Sequence, residues 1–365
     1  MSKAQDVRRC PDCEAEFDGV NRREFLRTTG VVAAGAALGA AAASLPIRAI
    51  AGDAAKNDTY LHRLGKPETL VKQLYDSLKD EQKGKICFDW DYVESAGKAP
   101  RGLLRTRVSN NWNITPTMIN SDFYTKDQQQ MIRQIYEGML NPEWIKRVDK
   151  QVEDDANGYG EHQSIAIFGH PGVDKFEFVM TGRHMTLRCD GHSAEHVAFG
   201  GPVFYGHAAQ GFNEKADHPG NVYWYQAKHA NKVYEMLDER HRKLALVENL
   251  PKEEAVGFRG PSGQYPGLPV TELASDQKEE LQKVLGKLIE HYRQSDQDEA
   301  LGCLKRQGGL DKCSLAFYRE GDIGNDQVWD CWRLEGPSFV WYFRGSPHVH
   351  VWVNVADDAS VKLNA

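Results

Sequence analysis

Apolar positions along this chain fall into a helical spacing followed by strand-like runs, and the succession comes twice. Met131, Ile135 and Met139 stand four residues apart, as do Leu281, Leu285 and Ile289 at a constant offset of 150. Side chains four apart share one face of a helix, so both segments predict amphipathic helices. Thr125 and Ser275 precede them and offer the hydroxyl that an N-cap uses. Ser164-Ile165-Ala166-Ile167-Phe168 and Ser314-Leu315-Ala316-Phe317-Tyr318 follow at the same offset and predict short strands. Beyond a longer loop in the second copy the offset becomes 154, and Gly182–Phe199 lies over Gly336–Val353, with His196-Val197 on His350-Val351. An earlier pair, Leu74-Tyr75-Asp76-Ser77-Leu78 and Val233-Tyr234-Glu235-Met236-Leu237, precedes the two series.

The repeated order of helix, helix, short strand, loop and strand pair predicts an internal duplication. The expected fold class is α+β: in each half, helices followed by an antiparallel β-meander, with the halves related by a pseudo-twofold axis. Strands are expected near 164–168, 176–181, 184–189, 314–318, 328–334, 338–343 and 348–355. The first half would span residues 52–222 and the second 223–365, as one intimate two-lobed domain. The Gly/Pro-bearing stretches 205–222 and 256–269 are long enough to carry function.

Residues 1–51 stand apart from this scheme. Asn21-Arg22-Arg23-Glu24-Phe25-Leu26-Arg27 looks like a twin-arginine export signal, and an Ala/Gly-rich apolar stretch runs from Val31 to Leu45. That stretch is shorter than the roughly 20 apolar residues a bilayer span requires. Ala49-Ile50-Ala51 offers a small-x-small cleavage site before Gly52. The expected product is exported, periplasmic or extracellular, with no stable membrane span after cleavage and with the twin-arginine export machinery as a partner. The formal net charge of −7 includes no basic stripe, which argues against nucleic acid. Cys10 and Cys13 fall within the signal, leaving Cys87, Cys189, Cys303, Cys313 and Cys331. An exported chain permits disulfides, and Cys303–Cys313 is the best local pair; buried, unpaired thiols are the other reading.

Candidate chemistry concentrates in histidines. Pro347-His348-Val349-His350-Val351-Trp352-Val353 predicts a strand, and alternation puts His348 and His350 on one face. Two imidazoles on one face of a rigid element are the start of a metal site. If the halves pair, His184 or His196 from the first would face them, and His192 lies on the same matched block. Three imidazoles with an open position suit a divalent metal, Zn or Cu above all, with Fe also accepting nitrogen ligands. Glu335 and Asp190 are the candidate catalytic carboxylates, as general base or supporting group. The alternative is ordinary hydrogen-bonded histidines at a sheet edge. Trp329, Trp332, Phe339, Trp341, Tyr342, Phe343 and Trp352 line either a cleft or, more commonly for such a stripe, a core. No phosphate-binding loop, nucleophile elbow, HExxH or dinucleotide fingerprint is present in the sequence.

From about residue 70 to 356 the chain resembles a bacterial family filed as domain of unknown function 3500. The resemblance rests on Gly182-Arg183-His184, on Gly201-Pro202-Val203-Phe204-Tyr205-Gly206 and on Gly267-Leu268-Pro269. It continues through Glu335-Gly336-Pro337-Ser338-Phe339 to the terminal His348-Val349-His350-Val351-Trp352. The resemblance implies export and a shared fold but no established reaction. Function is therefore expected from the site: an exported metal-dependent enzyme, most plausibly a hydrolase acting on a small-molecule or polymer-fragment substrate. A metal- or ligand-binding envelope protein without turnover is the alternative.

Overall fold

The structure is a computed structural model that describes residues 66–96, 99–210, 218–324, 326 and 328–364. The export signal, its cleavage site and the Cys10/Cys13 pair lie outside the described residues.

The first half opens with helices α1 (Pro67–Ser77) and α2 (Asp80–Ile86), strand β1 (Cys87–Phe88) and a small antiparallel pair, β2 (Val93–Ala96) and β3 (Ala99–Leu103). Helices α3 (Lys126–Met139) and α4 (Ile145–Ala156) follow, then strands β4 (Ser164–Gly169), β5 (Phe176–Gly182), β6 (Met185–Cys189) and β7 (Val203–His207). The second half runs α5 (Tyr225–Glu235), α6 (Glu239–Ala245), β8 (Leu246–Val247), β9 (Leu268–Pro269), α7 (Ser275–Ile289) and α8 (Gln294–Arg306). It ends in β10 (Ser314–Tyr318), β11 (Cys331–Gly336), β12 (Phe339–Arg344) and β13 (Val349–Val355).

Both predicted helices form on their predicted apolar faces, but only the first has the predicted cap. Thr125 caps α3: its hydroxyl accepts from the Gln128 N–H, and Gln128 Oε1 accepts in return from the Thr125 N–H. The buried face of α3 is Ile132, Ile135, Tyr136 and Met139, with Met131 at its margin. Ser275 is not a cap but the first helical residue of α7; the N–H of Ala274 before it donates to Gln277 Oε1 at 2.9 Å.

One mixed sheet takes eleven strands, in the order β1-β4-β5-β6-β7-β13-β12-β11-β10-β8, with β9 beside β10. The expected strands β4–β6 and β10–β13 form antiparallel meanders, and β7, expected to be part of a connection, extends the first and pairs antiparallel with β13 at the centre, Val203 opposite Val353. Both outer pairs depart from an antiparallel sheet: β1 runs parallel to β4 and β8 parallel to β10. Two-residue strands at the ends of helices α2 and α6 carry no period to read, which is why the sequence did not announce them.

Helices cover one face of the sheet in a continuous apolar core. The other face is covered by irregular segments. Leu104, Trp112 and Ile114 lie over Ala166, Phe168 and Val179, and Val256 lies over Phe204, Tyr342 and Trp352. Strands buried on both faces cannot alternate apolar with exposed polar residues. Polar side chains on the second face, such as Thr186, Arg188, Arg333 and Asn354, are buried instead. The aromatic stripe is core: Trp332, Trp341, Tyr342, Phe343 and Trp352 are fully buried. The five described cysteines are all free thiols, Cys303 and Cys313 included.

Candidate metal centre

The centre lies where the middle strands end. His348 immediately precedes β13, and His350 sits within it, opposite Gly206 of β7 and Arg344 of β12. His184 is not on a strand; it occupies the turn between β5 and β6 with φ +54°. A left-handed conformation costs a non-glycine residue on the order of 1 kcal/mol, and such strain collects at functional sites. The His184 N–H is held by the Asn110 carbonyl at 2.9 Å. To reach β13 the His184 ring passes over β7 at Gly206. A Cβ there would sit 3.4 Å from the ring and 2.3 Å from the Val349 carbonyl oxygen, so only glycine leaves the passage clear.

The three Nε2 atoms converge. His184 and His350 are 3.0 Å apart, His184 and His348 3.2 Å, and His348 and His350 2.9 Å. All three residues are 1% exposed, so water does not separate them from one another. The outer nitrogens of His184 and His350 face carboxylates. His184 Nδ1 lies 2.9 Å from Asp155 Oδ2. His350 Nδ1 donates to Glu253 Oε1, and Glu253 Oε2 accepts from Arg344 at 2.8 Å. With protons on these Nδ1 atoms, the Nε2 lone pairs of His184 and His350 point inward toward His348 Nε2, an arrangement for which a cation is the natural partner.

Electrostatics favour that state at His184. Burial lowers His184 to about 4, against the pull of Asp155, so its imidazole is neutral near pH 7. Burial raises Asp155 and Glu253, but the facing histidines and, for Glu253, Arg344 outweigh it. Glu253 titrates near 2 and Asp155 is held well below the ordinary carboxylate range. A neutral His184 and two anionic carboxylates behind the triad make the arrangement of a histidine metal site with its orienting carboxylates.

The other expected residues lie elsewhere. His196 is 60% exposed in its side chain and pairs with Asp357 at 2.9 Å, so the structure does not bring it to the triad. Glu335 is buried on β11 between Arg333 and Arg259, each 2.9 Å away. It is level with Asn354 of β13, four residues beyond His350, or roughly 13 Å along the strand. Asp190, at the far end of β6 from His184, accepts from the Ala194 N–H at 2.8 Å. His192 is largely exposed beside Glu299.

Asp155, Glu253 and Gly206 are the residues that pattern reading missed. Asp155 left one signal: Asp154 and Asp155 end α4, where the helix dipole disfavours anions and the residues need cationic or hydrogen-bonding partners. His184 is the partner of Asp155, and His207, 2.9 Å from Asp154, is that of its neighbour. Glu253 sits in a loop and left no periodic signal.

A mixed α/β protein carrying a buried, carboxylate-backed histidine triad is thus the class that fold and site define. The chain belongs to the family described as protein of unknown function (DUF3500), whose model matches residues 65–354. Residues 19–39 match the twin-arginine translocation pathway signal sequence. The protein is therefore exported by that machinery, and no helix among the described residues is long and apolar enough to cross a membrane. No curated protein and no solved structure matches the chain.

Proposed function

We propose that this protein is an exported metalloenzyme holding one divalent transition metal on His184, His348 and His350, with hydrolysis as its chemistry. The convergence of three Nε2 atoms at 2.9–3.2 Å carries the reading. These are the residues among those described whose ligand atoms gather closely enough to hold an ion. A bound ion would have three protein ligands and open positions, the pattern of catalytic rather than structural sites. When bound, such a metal supplies Lewis-acid activation of water or of a substrate oxygen. Asp155 and Glu253 orient the imidazoles and raise their basicity. Glu335 and Asp190, engaged elsewhere, take no part in this version of the site.

A second reading, metal retention without turnover, has the near-complete burial of the triad in its favour. Metal analysis of protein purified after native export tests the common core of both: one metal ion per chain is expected, falling in His348→Ala and His350→Ala. Metal-free protein from metal-replete cells sinks both. Hydrolysis by the holoprotein, lost on chelation and restored by metal, separates the first reading from the second.

We also infer that the two halves descend from one duplicated unit. The shared registers support this: Ser164 pairs with Thr181 as Ser314 does with Glu335, and Cys87 with Ile167 as Leu246 does with Phe317. Met185 pairs with Tyr205 as Phe339 does with Val355, so the offset at the central strands is 150 rather than 154. His348 and His350 then correspond to Ala198 and Gly200, and His196 is no counterpart of His350. The triad draws on both halves and has no symmetry-related copy: Ser338, Ala198 and Gly200 stand where its counterparts would be.

A further inference from the structure

The shape of the triad says more about what it binds. An ion held at about 2.1 Å from three nitrogens whose separations are 2.9, 3.0 and 3.2 Å subtends N–metal–N angles of about 87°, 91° and 99°. A tetrahedral ion with the same bonds would need separations of about 3.4 Å on every side. All three sides fall short, and they fall close to the right angle of an octahedron or a tetragonal pyramid. Resting on the metal reading above, we infer that the histidines cap one face of a six-coordinate or tetragonal ion. They leave adjacent positions that take a bidentate oxygen-donor anion, of the class of oxo- or hydroxy-carboxylates. Manganese, iron, cobalt, nickel and copper accept such angles, whereas zinc in its preferred tetrahedron does not.

Charge points the same way. An imidazole ligates a metal through a neutral nitrogen and brings the ion no counter-charge. Of the two backing carboxylates, Glu253 is paired with Arg344 at 2.8 Å, and Asp155 lies 2.9 Å from His184 Nδ1. Neither carboxylate reaches the inward nitrogens, and the residues described there that could ligate an ion are the three histidines, so no protein anion ligates the ion itself. A buried, uncompensated charge is costly, and an anionic ligand on the ion removes that cost. A chelating carboxylate brings the charge and fills two neighbouring positions at once. Open positions that lie side by side, as these do beyond a facial cap, are the geometry that chelation requires.

Cobalt(II) is the probe, because its visible absorption is weak when six-coordinate and far more intense when tetrahedral. Mature protein purified after export is stripped of metal, refolded with one equivalent of Co(II) and desalted. Weak bands are expected, and oxalate should shift them at concentrations where acetate does not, with cobalt still retained on the protein. Intense four-coordinate bands would overturn the facial geometry, and identical responses to oxalate and acetate would overturn the chelating ligand. In both cases retained cobalt leaves the metal site itself standing. Failure to retain cobalt, manganese, copper or zinc would instead sink the metal reading, and this inference with it.

Discussion

Asp155→Asn is the sharpest single perturbation of the site. The change is nearly isosteric and leaves an amide oxygen able to accept from the Ala208 N–H, now 3.1 Å from Asp155 Oδ1. It removes the negative charge that stands 2.9 Å from His184 Nδ1, inside a region where both side chains have no solvent exposure. Losing an orienting carboxylate behind a metal-bound histidine costs about 10–100-fold in metal affinity, or about 1.4–2.7 kcal/mol. The upper end is expected here, because burial leaves no water to replace the lost partner. The assay is competition for the metal against a chromophoric chelator, with Asp154→Asn as control. Asp154 is the neighbouring carboxylate on the same helix turn, but it faces His207 and Lys150, not the triad. Equal affinities in wild type and Asp155→Asn would refute the reasoning. So would equal losses in the two variants, since the effect would then come from helix charge and not from the contact with His184.

Three further outcomes follow from the structure. Gly206→Ala should weaken metal binding and cost about 1–3 kcal/mol of stability, because its Cβ meets the Val349 carbonyl and crowds the His184 ring; wild-type metal content and unfolding midpoint together would contradict this. Arg22→Lys combined with Arg23→Lys should leave precursor in the cytoplasm, read by fractionation and immunoblot, and normal export would mean the signal within residues 19–39 is not the route used. Asp330 is pushed up to about 8 by burial, against the Ile323 N–H and with help from Asp322 and Asp326. Because the folded chain keeps this proton to a higher pH than the unfolded chain does, stability present near pH 4 is lost as pH rises toward 8. Asp330→Asn should therefore match wild type near pH 4 and exceed it by about 1–3 kcal/mol at pH 8; an equal difference in unfolding free energy at both pH values would count against that assignment.

How much of this was legible in the sequence depends on whether local pattern or three-dimensional proximity decides the feature. The main strands of both meanders were readable, because β-branched and aromatic runs between turn residues specify them locally. The shared face of His348 and His350 was readable from strand alternation alone. His184 was found through its block, yet it was expected on a strand and lies in the preceding turn. Strand β7 was read as part of a connection, since Gly206 and the residues after it mask its short apolar run. Asp155 and Glu253 meet the triad only through folding, about 30 residues before His184 and about 100 before His350 in the chain. Nothing at that separation is encoded in a period, and the same holds for the parallel pairings at the two sheet edges.

The free thiols have a practical meaning for how this protein matures. Cys189, Cys303, Cys313 and Cys331 are buried, and burial also raises Cys87, to about 12, so none of the five is poised to ionise near neutral pH. The described fold asks nothing of an oxidant. It can be completed in a reducing compartment and meets an oxidising one with no sulfur chemistry left to perform. Exchange enzymes that shuffle disulfides outside the cytoplasm should be dispensable for it, and reductant in the purification buffer should leave its melting temperature unchanged.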